Sequence, residues 1–235
     1  MRLTTDNRQL ATELILALDV DSFSRAKYFV DLLYPQVRIF KVGLQLFIAR
    51  GDKIIKYIKK KGAGVFLDLK FHDIPNTVGN AARAVVRLGG VKMFTVHTQG
   101  GLAMLQAARK AVTEEAFKLG IKPPLIIGVT VLTSAQKTSR ILALVLKRAY
   151  LARQAALDGV VCSVKEAGAV RKKLGKDFII VTPGIRLPED KQQDQKRVAT
   201  PREAKRAGSN YIVIGRPILS ASNPKEAVRI IKEQI

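Results

Sequence analysis

Residues 68 to 78 hold the residue types in this chain that are best suited to catalysis. The segment reads Asp-Leu-Lys-Phe-His-Asp-Ile-Pro-Asn-Thr-Val and follows an apolar run at residues 64–67. Side chains two residues apart share one face of an extended strand, so we expect Asp68 and Lys70 to project together, with Asp73 just beyond in a loop. Clustered carboxylates repel each other unless a cation separates them, and Lys70 would be that cation. Such groups can place a proton and negative charge beside a substrate, whereas a surface ion-pair cluster is the alternative interpretation.

Eight short apolar runs predict the strands that would position this segment. They span residues 14–18, 37–42, 64–69, 91–96, 125–131, 159–162, 178–181 and 211–214. Amphipathic stretches of helical period follow them, at residues 22–33, 46–60, 78–88, 102–119, 139–157, 166–174, 201–207 and 223–233. Eight alternating units in 235 residues predict an α/β fold, a closed parallel (β/α)8 TIM barrel that forms a single domain over residues 1–235.

In such a barrel the functional side chains are expected at the C-terminal ends of the strands. Polar residues occupy those positions here. The segment from Pro183 to Thr200 lacks a clear period, and together with residues 215–218 after strand eight it is expected to bind phosphate. The polar residues at or just after strand ends are Asp19, Lys41, Asp68, Lys70, His97, Thr130, Thr133, Arg186 and Arg216.

The net charge of +22 is the unusual bulk property of the chain. It is compatible with nucleic acid, an anionic lipid surface or an anionic small substrate. The basic residues are scattered over expected helices and loops, and with 9 Phe, 5 Tyr and no Trp there is little material for stacking bases. An anionic small molecule is therefore the favoured partner, and a basic nucleic-acid-binding protein remains the alternative from another functional class.

The cysteine content and the N-terminus indicate a cytoplasmic protein. Cys162 is the single cysteine, so no internal disulfide can form, and no Cys/His spacing typical of a metal site occurs. Residues 1–12 are polar and carry no signal-like apolar core, and no apolar run approaches the length of a membrane span. We therefore expect neither a membrane partner nor a bound metal.

Characteristic motifs recur in order along essentially the whole chain. They are Ala-Leu-Asp-Val around Asp19, Phe-Lys-Val-Gly around Lys41, the 68–78 block, Val131–Ser134, Thr182–Arg186, Asp194–Arg197 and Gly215–Ile218. Taken together, they closely resemble the orotidine 5′-phosphate decarboxylase family. The 68–77 block is the most specific part, because a bare Asp-x-Lys-x-x-Asp would indicate only the wider superfamily. A modest departure is Gln193, where many members carry a small residue.

The resemblance implies an activity and a catalytic group. A homodimeric barrel would convert orotidine 5′-monophosphate (OMP) to UMP and CO₂, the last step of de novo pyrimidine synthesis, without a metal, a cofactor or a covalent intermediate. By the same resemblance, Lys70 would deliver the proton to C6 of the pyrimidine, and Asp68 would lie near the departing carboxylate. Asp19 and Lys41 would hold the ribose hydroxyls and orient the charged array.

The resemblance also implies the remaining substrate contacts. Asp73, Ile74 and Thr77 would reach into the active site of the neighbouring subunit. The groups expected around the phosphate, the ribose and the base are Pro183, Arg186, Gln195, Gly215 and Arg216, with Thr133 and Ser134 near the pyrimidine.

The nearest enzymatic alternative is a sugar-phosphate enzyme of the same superfamily, such as a hexulose-phosphate synthase, which would use the Asp-x-Lys-x-x-Asp core with Mg²⁺. The extended Phe-His-Asp-Ile-Pro-Asn-Thr sequence argues against it. His72 is interpreted as a structural or dimer-contact residue, His97 as a hydrogen-bonded residue at the barrel top, and Cys162 as a small buried apolar group. None of the three is assigned a catalytic role.

Overall fold

A closed barrel of eight parallel strands forms the centre of the computed structural model, which describes residues 12–132, 140–187 and 199–235. Each strand pairs with the next in sequence, and β1 also pairs with β8, which closes the barrel. The (β/α)8 TIM barrel expected from the sequence is thereby confirmed. The strands are β1 (Glu13–Ala17), β2 (Ile39–Gly43), β3 (Gly64–Phe71), β4 (Val91–His97), β5 (Leu125–Val129), β6 (Gly159–Val161), β7 (Ile179–Thr182) and β8 (Tyr211–Ile214).

Helices connect the strands and cover the outside of the barrel. None of them, within the described residues, is long and apolar enough to cross a membrane. A short 3-10 turn, Thr98–Gly100, also follows β4. The helices are α1 (Phe23–Leu33), α2 (Leu44–Lys60), α3 (Pro75–Leu88), α4 (Gly101–Lys118), α5 (Ile141–Gln154), α6 (Val164–Leu174), α7 (Pro201–Arg206), α8 (Arg216–Leu219) and α9 (Pro224–Lys232).

Two of the differences between the observed helices and the sequence pattern lie near the C-terminal ends of strands. Residues 216–219 form the short helix α8, where the pattern indicates only a loop. Helix α3 begins at Pro75, three residues before the predicted start at Val78, because proline suits the first helical turn. Both changes bring a helix start close to the C-terminal end of a strand, which is where functional groups are expected in this fold.

The hydrophobic core has two layers. A large outer layer lies between the strands and the helices, and a smaller inner layer fills the barrel. Side chains alternate between the two along each strand, because successive residues point to opposite faces. The inner layer is formed by Ile15, Ala17, Ile39, Phe66, Met93, Ile127, Val181 and Val213.

The same alternation carries polar groups to the top of the barrel interior. In β2, Ile39 belongs to the inner layer and Lys41 comes two residues later. In β3, Phe66 is in the inner layer and Asp68 comes two residues later. The charged side chains therefore lie directly above the apolar inner layer, toward the C-terminal end of the barrel.

Candidate active site

An open cavity of about 470 Å³ lies at the C-terminal end of the barrel. Its walls come from the ends of seven strands, all but β4, and the loops that follow them. Eight of the sequence-predicted site residues contribute to its lining, which supports one shared site at this end. These residues are Asp19, Lys41, Asp68, Lys70, Pro183, Arg186, Gly215 and Arg216.

Four charged side chains of alternating sign form a continuous array in the cavity. Nζ of Lys41 lies 2.9 Å from Oδ1 of Asp19 and 3.7 Å from Oδ2 of Asp68. Nζ of Lys70 lies 2.9 Å from the same Oδ2 of Asp68. Because the side chains of Lys41 and Asp68 are only 12% and 14% exposed, solvent screens this part of the array weakly. Each carboxylate therefore has an ammonium neighbour, as expected for charges held close together.

The backbone at Lys70 departs from the extended strand that the sequence predicts. Lys70 has φ +52°, in the left-handed region that residues other than glycine rarely adopt. The pairing of β3 with β4 also shifts, from Leu67 opposite Phe94 to Phe71 opposite Val96, so β3 contains two extra residues here. Asp68 and Lys70 meet in this irregular part of the strand, where Nζ of Lys70 lies 2.9 Å from Oδ2 of Asp68. Strain of this kind persists where the surroundings hold it in place.

Thr95 of β4 is a polar residue of the site that the sequence reading missed. Its side chain is fully buried, its Oγ1 accepts a hydrogen bond from Lys70 N–H at 2.8 Å, and it lies 3.1 Å from Oδ1 of Asp68. The sequence indicates its placement only through alternation, since Thr95 comes two residues after inner-layer Met93 and two before His97. Threonine is so common in strands that this position alone does not identify it as a site residue.

The loops after β7 and β8 form the other side of the cavity. β7 lies across the barrel from β3, four strands away in either direction. N–H of Arg186 donates to the carbonyl of Ala199 at 2.9 Å, so the two described ends of the long loop are joined at its base. A Cβ on Gly215 would lie 3.4 Å from Ala17 Cβ and 3.5 Å from Asp19 Oδ2, so this backbone passes close to the array.

Three of the predicted site residues lie outside the cavity of their own chain. Asp73, Ile74 and Thr77 are exposed around the start of α3, and Ile74 retains 65% of its accessible surface. Oδ1 of Asp73 accepts a hydrogen bond from Ile74 N–H at 2.6 Å, which fixes the carboxylate near the helix start. The structure thus separates Asp73 from the Asp19–Lys41–Asp68–Lys70 array within one chain.

Two further predicted residues, Thr133 and Gln195, lie outside the described residues, as does Ser134. Leu132, at the described end of the segment that leads to Thr133, lines the cavity. Leu187 and Ala199 flank the segment that contains Gln195, and Ala199 pairs with the base of the cavity loop. The roles of Thr133 and Gln195 therefore stay predictions from the motifs.

His72, His97 and Cys162 lie at or just after the C-terminal ends of β3, β4 and β6. The rings of His72 and His97 stack with their centroids 5.4 Å apart, and Nδ1 of His97 accepts a hydrogen bond from Gln99 N–H at 3.2 Å. Burial, with added repulsion from Arg148, lowers the pKa of His97, which favours its neutral form. Cys162 is buried, and burial raises the pKa of its thiol, as expected for an unreactive group.

Within the described residues, no group of three or more His, Cys, Asp or Glu side chains could hold a metal ion.

Several proteins named orotidine 5′-phosphate decarboxylase are similar to this chain in sequence and in structure. A family model described as Orotidine 5′-phosphate decarboxylase / HUMPS family matches residues 12–231. Orotidine 5′-phosphate decarboxylase of Moorella thermoacetica is 49% identical over 232 residues, covering 95% of this chain and 92% of that protein. The protein of the same name from Legionella pneumophila (strain Paris) is 46% identical over 93% of this chain and 97% of its own length. A crystal structure of orotidine 5′-phosphate decarboxylase from Lactobacillus acidophilus has a TM-score of 0.83 and 37% identity, covering 95% of this chain and 99% of that one.

Proposed function

This chain belongs to the orotidine 5′-phosphate decarboxylase / HUMPS family, and we propose that it decarboxylates OMP without a cofactor, with Lys70 as the proton donor to C6. Relatives at 43–49% identity are named orotidine 5′-phosphate decarboxylase, so the chain is a carboxy-lyase that acts on OMP. The observation that carries the proposal is the array itself. Lys70 is held against Asp68 inside a cavity whose far wall carries Arg186 and the adjoining Arg216.

Loss of CO₂ from C6 of OMP leaves a carbanion whose electron pair lies in the ring plane. The ring π-system cannot delocalise that pair, so charge stabilisation must come from outside the pyrimidine. A fixed ammonium meets the developing charge more strongly in the transition state than in the ground state, which is the condition for faster turnover. Lys70 can then pass one proton to C6, so that the carbanion becomes the C–H of UMP and the ammonium becomes a neutral amine.

The neighbours of Lys70 hold its ammonium in place. Oδ2 of Asp68 lies 2.9 Å from Nζ of Lys70 and provides an opposite charge beside it. Lys41 lies between Asp19 and Asp68 and holds the array together from the other side. We assign the ribose hydroxyls to Asp19 and Lys41, whose polar atoms line the same cavity.

The wall opposite β3 suits the phosphate. Pro183, Arg186, Gly215 and Arg216 line it, and two guanidinium groups can bind a phosphate through paired hydrogen bonds. A nucleotide bound with its phosphate there would extend its pyrimidine towards Lys70. Binding energy gained at the phosphate can then support loop closure and orientation at the distant C6.

We further propose that the chain works as a homodimer with shared sites and occupies the cytoplasm as one domain. The exposed Asp73, Ile74 and Thr77 support the shared site, because their own chain leaves them outside its cavity. The lone cysteine, Cys162, supports a reducing compartment.

The direct test is turnover of OMP by the purified protein, followed by the change in absorbance that accompanies loss of the carboxylate. We expect the rate to change less than about twofold after incubation with EDTA, because Lys41 and Lys70 already neutralise the carboxylates that would otherwise bind a divalent cation. Loss of activity with EDTA and its return with Mg²⁺ would instead favour the hexulose-phosphate-synthase type of chemistry.

Arg216→Ala should lower kcat/KM for OMP by about 10- to 150-fold. This range corresponds to the loss of a charge-assisted hydrogen bond of about 1.5–3 kcal/mol. The same variant should turn over orotidine, which lacks the phosphate, as slowly as the parent protein does. Arg202→Ala, which removes an exposed arginine from α7, is the matched control and should leave both rates unchanged. An equal loss with OMP and orotidine would contradict the assignment to phosphate.

A further inference from the structure

A single buried hydroxyl contacts both the backbone of Lys70 and the carboxylate of Asp68. We propose that Thr95 is a positioning residue for the decarboxylation, because it fixes the proton donor and its counter-ion relative to each other. The inference rests on the proposed function of Lys70. It adds a residue on β4 that touches neither substrate nor cofactor and acts through these two neighbours.

The chemistry of the groups fixes the direction of both hydrogen bonds. A backbone N–H can only donate, so Oγ1 of Thr95 must accept the 2.8 Å bond from Lys70. The hydroxyl then has its own proton left to donate, and the atom in line is Oδ1 of Asp68 at 3.1 Å. The two hydrogen bonds therefore form a chain in which Lys70 N–H donates to the Thr95 hydroxyl and that hydroxyl donates to the Asp68 carboxylate. Bonds linked in this way polarise each other, so each strengthens the next.

The side chain of Lys70 closes this path into a ring. Its ammonium contacts Oδ2 of Asp68 at 2.9 Å, while Oδ1 is taken by Thr95. One carboxylate oxygen is thus committed to the hydroxyl, which leaves the other oxygen turned towards the two ammonium groups. Lys70 is held at its backbone and at its side-chain end by the same pair of residues.

The irregular backbone explains why a hydroxyl is needed at this position. Between the pairs Leu67–Phe94 and Phe71–Val96, the β3–β4 ladder is interrupted, and the Lys70 N–H points to a side chain of β4. Thr95 itself stays in register with Ile127 of β5, so its Cα is held by regular strand pairing. A regular strand thereby supports a left-handed residue on its irregular neighbour.

Burial makes the hydroxyl hard to replace. Thr95 has no exposed surface, and Asp68 is only 14% exposed on its side chain. Valine in place of threonine keeps the shape but leaves the Lys70 N–H without this acceptor and Asp68 without this donor. Misplacement of a reacting group by about 1 Å can lower a rate by about 100-fold, which sets the scale of the expected effect.

The test compares Thr95→Val, Thr95→Ser and Thr98→Val with the parent protein. Thr98 is also buried, and its hydroxyl donates to the carbonyl of Val129 at 2.8 Å, so it is a matched hydroxyl with no charged partner in this bond. For Thr95→Val, kcat should fall by about 10- to 100-fold, while KM for OMP and the Kd of the product UMP change less than about threefold. Serine restores both hydrogen bonds and should bring kcat back to within about threefold of the parent value. Thr98→Val should keep the parent kcat.

Thermal unfolding of each variant separates positioning from stability. Should Thr95→Val fail to fold, Thr95→Cys takes its place, because a thiol is a weak donor and acceptor. A kcat within about threefold of the parent value in a folded Val or Cys variant would overturn the inference, and so would a Ser variant as slow as Val. If the parent protein itself fails to decarboxylate OMP, the proposed function fails and the inference fails with it, whereas an active parent protein with an equally active Thr95→Val variant overturns the inference alone.

Discussion

Replacing Lys70 with alanine should reduce decarboxylation of OMP by about 10⁴-fold or more while the protein remains folded. Two contributions are lost together in this variant. The ammonium no longer stabilises the negative charge at C6, and no donor is in place to protonate that carbon. Removal of one electrostatic donor costs about 10²- to 10³-fold and loss of a general acid about 10²- to 10⁴-fold, so their combination supports the estimate.

The fold should survive this change for reasons visible in the structure. Lysine already carries a Cβ in the left-handed conformation, so alanine adds no new backbone strain. The side chain is 34% exposed and is outside the apolar core, and Asp68 keeps Lys41 at 3.7 Å and the Thr95 hydroxyl at 3.1 Å. We therefore expect a small shift in thermal midpoint.

Lys92→Ala is the control, because Lys92 has similar exposure at 40% and likewise contacts one carboxylate, Glu13 at 3.4 Å. That variant should keep full activity, measured as kcat by the same absorbance assay. Turnover by Lys70→Ala within about tenfold of the parent rate would show that another group protonates C6. The proposed mechanism would then be wrong even if the activity itself were present.

Co-expression of Lys70→Ala with Asp73→Ala should restore activity that neither variant has alone. If each site combines Lys70 of one subunit with Asp73 of the other, a mixed dimer contains one site with both residues intact and one that lacks both. Random pairing makes about half of the dimers mixed, and one of the two sites in each mixed dimer is intact. We therefore expect about a quarter of the parent activity, averaged over all sites. Each homodimeric variant should be nearly inactive.

The placement of Asp73 motivates this experiment. Its carboxylate is held by Ile74 N–H at an exposed helix start, outside the cavity that contains Lys70. Two differently tagged chains allow the mixed dimer to be isolated and assayed. The matched control pairs Lys70→Ala with the Lys70→Ala, Asp73→Ala double variant, in which every site lacks the lysine and no activity should return. Failure of the first pairing to recover activity would indicate that the two residues act within one chain.

Most of the fold was predictable because the strands of a parallel barrel are buried on both faces. Such strands read as short apolar runs, and all eight runs correspond to strands of the barrel. Helix starts were less well predicted where they depend on local chemistry, as at Pro75. Helix α8 was missed because four residues, 216–219, are too few to show a helical period.

The site was predictable to the extent that it follows strand ends. Asp19, Lys41 and Asp68 each come two residues after an inner-layer residue, so simple alternation places them in the cavity. The left-handed Lys70 was not predictable, because lysine has no preference for that conformation. Thr95 was also hidden, since a hydrogen bond between residues 25 positions apart leaves no local pattern.

The apolar layer inside the barrel also limits the routes by which protons can reach Lys70. If Lys70 is the proton donor, as proposed, each catalytic cycle leaves it one proton short, and the proton must be replaced before the next substrate can react. Below the array are the hydrocarbon and thioether groups of residues such as Ile39, Phe66 and Met93, which cannot relay a proton. On the proposed mechanism, the replacement proton would come from bulk water through the open cavity at the barrel mouth, so product departure and restoration of the acid would share one route.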